Sequence, residues 1–247
     1  TDRLLRLQNG TVSSLELPKS AGLLDVRVMA EDAGGGLWIG TDGSGLFHWK
    51  GGQFTQFSRE TGLSSDLVWA LRTEADGTLW IGTYGGGLTR LKNGCAVTCT
   101  TRHGLADDVI CYIADDGQGR YWLSSHQGIF RVNKNELNQF ADGSIGSIHC
   151  VSYGKSDGLP TLECKGGYQP AGCRGLDGRL WFPTLGGVAV IDPADASTIS
   201  AAPPVHLEEI FVDGQLFESE TWKQAKGKRE PMGSRPPPSP VRQVAPS

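Results

Sequence analysis

Ten residues from Leu37 to Leu46, LWIGTDGSGL, recur almost unchanged as LWIGTYGGGL from Leu79 to Leu88. The echo belongs to a longer period, because Trp38, Trp80, Trp122 and Trp181 stand 42, 42 and 59 residues apart. A fixed period in this range marks a repeat architecture, in which one unit of secondary structure is copied and each copy needs its neighbours to bury a face. Every unit runs in the same order. A Gly-Leu pair (at Gly22, Gly62, Gly104 and Gly158) is followed by an apolar strand, an acidic or glycine turn, a tryptophan strand, a glycine loop and a further strand.

The pieces have a physical reading. LVWAL and VICYI are apolar strands, ADG and DDGQG are hairpin turns that supply positive φ, and TLWIGT is a second strand. GLTRL or GIFRV pairs next, KNG or KGG turns the chain, and QFTQF or AVTCT closes an antiparallel meander. Four strands in about 42 residues make the blade of a β-propeller, so the expected fold class is all-β. With 35 Gly, seven Trp and only two Met, the composition suits short strands on glycine turns rather than a helical bundle. The repeated Trp38, Trp80, Trp122 and Trp181 are expected to be structural, filling the seams where blades stack, since each ring buries roughly 150–250 Å².

The longer third interval predicts an insertion near residues 133–149, NKNELNQFADGSIGSIH, in which Asn133 caps a short helix with Leu137 and Phe140 on one side. Counting strands gives the end of one blade (Leu4 to Leu17), three whole blades, and three strands of another that stops at Pro193 without an evident fourth strand. The propeller region is thus expected over residues 1–196, with four to five blades, the first and last incomplete. An up-and-down ring needs closure to remove its edges, so the missing blades are expected N-terminal to Thr1. Residues 218–247 are basic and Pro-rich, a composition that buries no core, and are expected to be disordered.

A formal net charge of −4 supplies no field for nucleic acid. No apolar run approaches the length of a membrane helix, and TDRLLRLQNG lacks the apolar core of a signal peptide. Six cysteines without C-x-x-C spacing favour small buried residues over zinc or a disulfide framework. His48, His103, His149 and His206 show no ligand spacing, and no metal or cofactor is expected.

The stretch DGTLWIGTYGGGL, preceded by GLSSDLVWAL, resembles the two-component regulator propeller repeat, and the resemblance extends over roughly Leu4 to Pro193. SYGKSDGLPTLECKGGYQPAG, then DGRLWFPTLGGVAVIDP and APPVHLEEIFVDGQ, resemble the family's last blade and its exit. That makes residues 197–217 the expected start of a Tyr-rich immunoglobulin-like domain, a match that ends after about Phe217. The family forms the extracytoplasmic sensor part of bacterial signalling proteins, many of them hybrid sensor histidine kinases. The resemblance therefore implies a non-catalytic, periplasmic, ligand-sensing region whose output domain lies outside this chain.

Meander topology sorts the loops into two ends. One end carries the turns AGGG, ADGT, DDGQG and LDGR, where Asp115 with Asp116 reads as a turn rather than an acid dyad. At the other end, the residue four positions after each tryptophan changes from blade to blade: Asp42, Tyr84, His126 and Leu185. Asp42, Tyr84 and His126, with Arg59, Asp66, Arg102, His103 and Asp108 from the inter-blade loops, form the candidate ligand-binding face. Glu60, Ser65 and Asp107 lie in the same loops. The expected partners are a small molecule or oligosaccharide, the remaining blades and the output domain of the parent protein, with a homodimer possible. The alternatives are a propeller enzyme of the streptogramin lyase or glycoside hydrolase kind, or a protein-binding scaffold. No serine elbow, metal-binding histidine pair or Gly-rich phosphate loop accompanies His126 to favour the enzyme.

Overall fold

The computed structural model describes residues 4–15, 25–198, 211–212, 215–216 and 241–244. It opens with a hairpin, β1 (Leu4–Gln8) and β2 (Thr11–Leu15). Three antiparallel four-stranded meanders follow. The first is β3 (Val26–Glu31), β4 (Leu37–Thr41), β5 (Leu46–Lys50) and β6 (Gln53–Phe57). The second is β7 (Val68–Thr73), β8 (Leu79–Thr83), β9 (Leu88–Lys92) and β10 (Cys95–Cys99). The third is β11 (Tyr112–Asp115), β12 (Arg120–Ser125), β13 (Gly128–Asn133) and β14 (Cys150–Tyr153). Tight turns join the strands where the sequence calls for them. Asn93 and Gly94, with φ of 51° and 77°, make the positive-φ pair that a two-residue hairpin between β9 and β10 demands.

A fourth sheet is built from β15 (Cys173–Arg174), β16 (Leu180–Thr184), β17 (Gly187–Ile191) and a strand drawn from the end of the chain. Between them lies a small hairpin, β18 (Phe211–Val212) with β19 (Gln215–Leu216). The outermost strand is β20 (Val241–Val244), which pairs antiparallel with β17 from Val188↔Val244 to Ile191↔Val241. This corrects two expectations: the last blade has a fourth strand, and part of the Pro-rich tail supplies it. Strand counting missed the pairing because it looks for a partner across a short turn, whereas the free edge of β17 is satisfied by backbone from far downstream. The other residues of the expected exit segment beyond Thr198 and of the tail lie outside the described residues, as do Gly22 and Leu17. The architecture is an all-β, four-blade propeller arrangement.

The blades are joined by apolar seams. Val28, Leu46 and Trp38 of the first blade meet Val68, Leu79, Ile81 and Leu91 of the second. Ala70, Trp80 and Leu88 of the second meet Ile113, Tyr121, Leu123 and Phe130 of the third. Ala114, Trp122 and Ile129 of the third meet Leu180, Phe182 and Ala189 of the fourth. Trp80 and Trp122 are 2% and 0% exposed, Trp80 edge-on to Tyr121 at 5.9 Å and Trp122 stacked on Tyr153 at 5.2 Å. Trp38 and Trp181 are only partly buried, and Trp38 stacks instead on His48 at 3.8 Å.

The glycine of the repeated LWIG has a matching reason. A Cβ on Gly40 would sit 2.6 Å from a Val68 methyl, and one on Gly82 would sit 2.6 Å from a methyl of Ile110. Gly40 lets the first strand of the next blade, and Gly82 the segment just before it, approach the second strand of its own blade.

The insertion forms α1 (Lys134–Ala141), with the Asn133 side chain accepting the Asn135 N–H at 2.7 Å. Leu137 is fully buried, and Phe140 packs on His103 at 4.9 Å. Arg90 reaches from β9 to Asp142 at 2.6 Å and Asn138 Oδ1 at 3.1 Å, so the helix clasps the second blade to the third.

Replacing Trp122 with Ala removes the centre of a dry seam and is expected to lower unfolding free energy by about 3–5 kcal/mol in urea titration. Trp181→Ala is expected to cost clearly less. Equal losses would mean that burial at the seam is not what the repeated tryptophan contributes.

Candidate functional site

One hydroxyl per blade positions the variable residues. Thr41 donates to Gly45 O at 2.7 Å, Thr83 to Gly87 O at 3.0 Å, Ser125 to Gly128 O at 3.0 Å and Thr184 to Gly187 O at 2.9 Å. Each also accepts a backbone N–H from within the turn that follows its strand, from Ser44, Gly86, Gln127 and Gly186. The loop between the second and third strands is therefore clipped by the same kind of hydroxyl in all four blades, closing to the fourth residue on in the first two and to the third in the last two. The residue next to each clip is Asp42, Tyr84, His126 or Leu185, held at the same place with a different side chain each time.

The neighbouring inter-blade loops complete this end. Asp42 forms a β-bridge with Leu67, and the Tyr84 N–H donates to the Leu67 carbonyl at 3.0 Å, so both residues border the same loop. Tyr84 is 42% exposed, and its ring lies 4.5 Å from Trp69 and 5.8 Å from His126. Trp69 and His126 are 6.1 Å apart, which closes a triangle of three rings. Beside it, Arg27 donates to Asp42 at 2.6 Å and to Asp25 at 2.7 Å. Two carboxylates about one guanidinium leave this corner net negative, and the rings supply flat apolar faces edged by Tyr and His polar atoms.

Of the eight candidate residues, Asp42, Tyr84 and His126 thus meet at one end, with Asp42 committed to an ion pair. Asp66 and Asp108 are engaged by the backbone instead. Their carboxylates accept the N–H of Arg59 at 2.8 Å and of Thr101 at 2.7 Å, each at the start of a one-turn helix. The Asp66 carbonyl also takes the N–H groups of Gly43 and Gly45, bracing the loop of Asp42. The His103 ring accepts the Thr100 N–H at 3.1 Å and packs on Phe140. Arg59 and Arg102 are exposed on the same one-turn helices. Glu60 is likewise exposed, while Asp107 accepts the Gln127 N–H at 3.1 Å.

Two contributors escaped the sequence reading, Trp69 and Arg27. The signal was present. Both stand at the same place in successive repeats, 42 residues apart, where an apolar first strand otherwise has no reason to carry an arginine.

The opposite end is turn chemistry. Asp116 accepts the N–H of Gln118 at 2.7 Å, of Arg120 at 3.1 Å and of the Trp122 indole at 3.2 Å, while Asp115 takes Gly117 N at 2.8 Å. Burial works to raise the Asp32 carboxyl, but the N–H groups of Gly36 and Gly34, the His48 ring and Lys50 outweigh it and hold it at about 2. Hydrogen bonds from Lys92 and Thr78 bring Asp76 down to about 2 as well. Such carboxylates are ionised at neutral pH and have no proton to give. Burial pushes the Cys99, Cys111 and Cys164 thiols up to about 12, so none is a ready nucleophile. Among the described residues, no group of three or more His, Cys, Asp or Glu is placed to hold a metal ion.

The family model of the two component regulator propeller matches residues 62–85, from the Gly-Leu pair through the clipped loop of Tyr84. The regulator propeller resemblance read from the sequence is therefore borne out. The fold is similar to the extracellular domain of BT3049 from B. thetaiotaomicron, described as a hybrid two component system, at 24% identity and TM-score 0.56 over 73% of this chain and 23% of that one. It is similar to the extracellular domain of BT4673 from the same organism at 20% identity and TM-score 0.56, over 76% and 26% of the two chains. Virginiamycin B lyase from Staphylococcus aureus is similar at 13% identity and TM-score 0.57, over 78% and 60%. These likenesses establish the propeller fold. The chain spans about a quarter of the two extracellular domains it matches. A comparison with curated proteins found no match. Among the described residues, no helix is long and apolar enough to cross a membrane.

The turn carboxylates set a pH dependence. Asp32 and Asp76 have folded values of about 2 against a usual 3.8, so the stability they contribute is present above pH 4 and is lost as pH falls from about 4 to 2. Melting temperatures followed between pH 6 and 2 are expected to fall through that window, and less steeply for Asp32→Asn. An unchanged slope in that variant would remove Asp32 from the account.

Proposed function

We propose that this chain is the ligand-sensing, non-catalytic propeller region of a bacterial two-component signalling protein. It binds a small molecule or glycan fragment on the face of Asp42, Tyr84 and His126, outside the cytoplasm, and passes the event to an output domain beyond this chain. The observation that carries the reading is the ring triangle of Trp69, Tyr84 and His126 beside the Arg27–Asp42 pair, at the one end where the repeat varies. A flat sugar or planar face fits rings at these spacings, and hydroxyls fit the flanking charges. The regulator propeller repeat at residues 62–85, and solved relatives described as extracellular domains of two component systems, support the signalling context. The same reading has the exit to an immunoglobulin-like domain begin near residue 197, with β20 adding the last strand of the propeller from farther along the chain.

The likeness to a lyase keeps a propeller enzyme as the second reading, with His126 as its base. Isothermal titration against a panel of oligosaccharides, with product analysis of the same mixtures, separates the two. Saturable binding without turnover is expected, and Tyr84→Ala with His126→Ala is expected to weaken it by at least tenfold. Product formation would overturn the sensor reading, and unchanged affinity in the double variant would move the site elsewhere.

A further inference from the structure

Arg27, Trp69 and Cys111 occupy the same position in three successive repeats, each 42 residues after the last. Trp69 lies in the innermost strand β7, Arg27 in β3, and Cys111 immediately before β11. One short segment of the chain, Lys165 to Gln169, touches all three. Gly166 lies so close to Cys111 that a Cβ there would be 2.5 Å from the Cys111 Cβ and 2.9 Å from its sulfur. Gly167, at φ 74°, lies against the Trp69 indole, where a Cβ would be 3.0 Å from Cε2. Its carbonyl accepts Arg27 Nη1 at 3.3 Å. Only paired glycines fit a backbone that passes this near three side chains.

The segment is tied at both ends. At its start, the Cys164 N–H donates to Ser125 O at 3.0 Å and the Lys165 N–H to Pro183 O at 2.9 Å, on the third and fourth blades. At its end, the Gln169 amide donates to Met29 O at 3.0 Å and accepts Met29 N–H at 2.9 Å, on the first blade. Among the described residues, strand β3 has β4 on one side and no strand on its inner side, so the Met29 backbone groups meet no sheet partner there. One primary amide supplies the missing donor and acceptor together. A cavity of about 300 Å³ remains between β3 and the segment, lined by Val26–Met29 and Gly167–Gln169.

We propose that Lys165–Gln169 is an axial strap, latched to β3 by the Gln169 side chain, whose release opens the propeller axis and uncovers Cys111. The latch is two neutral hydrogen bonds between residues that are both exposed, which places it at the weak end of the local stability range. The seams around it hold buried apolar clusters, so the strap opens while the blades stay packed. The strap also meets both halves of the candidate site. Arg27 divides its guanidinium between Asp42 and Gly167 O, and Trp69 lies between Gly167 and Tyr84. An occupant that draws on Asp42 or stacks on Tyr84 therefore acts on the strap, a coupling that rests on the reading under Proposed function. The latch itself does not.

The test needs no ligand. N-ethylmaleimide labelling at pH 8, followed peptide by peptide with mass spectrometry, gives a rate for each cysteine. Cys111 is expected to label slowly in the wild type and about tenfold faster in Gln169→Ala, the effect of losing two neutral hydrogen bonds. Gln169→Glu, which keeps the acceptor for Met29 N–H and loses the donor, is expected to fall between. Cys99, buried in the seam of the second and third blades, serves as the control and is expected to be unchanged. Hydrogen exchange at the Met29 amide is expected to accelerate in the same variants. Equal Cys111 rates in wild type and Gln169→Ala, or a parallel rise at Cys99, would overturn the strap. Loss of oligosaccharide binding alone would leave it standing, and its failure would leave the binding face untouched.

Discussion

The fold depends on the seam between adjacent blades. A single meander has two faces and too little apolar surface to cover both, so every blade is stable only as far as the next one fits against it. Packing at interior density then dictates which residues the repeat keeps constant. Trp80 and Trp122 supply bulk, Gly40 and Gly82 supply the absence of bulk where strands cross, and the Thr and Ser hydroxyls lock the loops that leave the seam. A change at any of these positions is felt by two blades at once. The only partly buried Trp181 shows the converse, since it belongs to no apolar seam cluster among the described residues.

Because the constant residues are spent on the seam and its loops, side-chain variety is left to what the repeat does not constrain. The Thr clip holds the next residue in a defined place and is indifferent to its side chain, so Asp42, Tyr84 and His126 differ without cost to the blade. The repeat position of Arg27, Trp69 and Cys111, in or just before the first strand of its blade, is free in a second way, because it meets the 165–169 segment rather than a seam. One set of freedoms makes an open face of rings and charges. The other makes the floor on which the 165–169 segment lies. Arg27 and Trp69 belong to both, so the face and the 165–169 segment share two side chains.

The candidate residues read from the sequence gather at one end of the propeller, where several of their side chains are spent on the loops that carry them. Asp66 and Asp108 looked available because polar loop residues in a variable region suit a ligand, yet each carboxylate is taken by a backbone N–H seven residues earlier in the chain. His103 is likewise turned back onto Thr100 and Phe140. Loop geometry consumes polar groups locally, and a linear sequence does not show which way they turn. Trp69 was passed over for the opposite reason, since a tryptophan in an apolar strand reads as core.

The sequence by itself determined the blade, its four-strand order, the hairpin turns, the insertion helix with its Asn133 cap, and the end at which the repeat varies. All of these follow from periodicities and turn chemistry that act within about forty residues, the length of one repeat. Tertiary structure alone decided that β20 closes the last blade, that Gln169 pairs with Met29, and that three rings from two blades meet beside Arg27. Those contacts join residues far apart in the chain, and their partners are chosen by which backbone edge or ring face is left uncovered once the blades have packed.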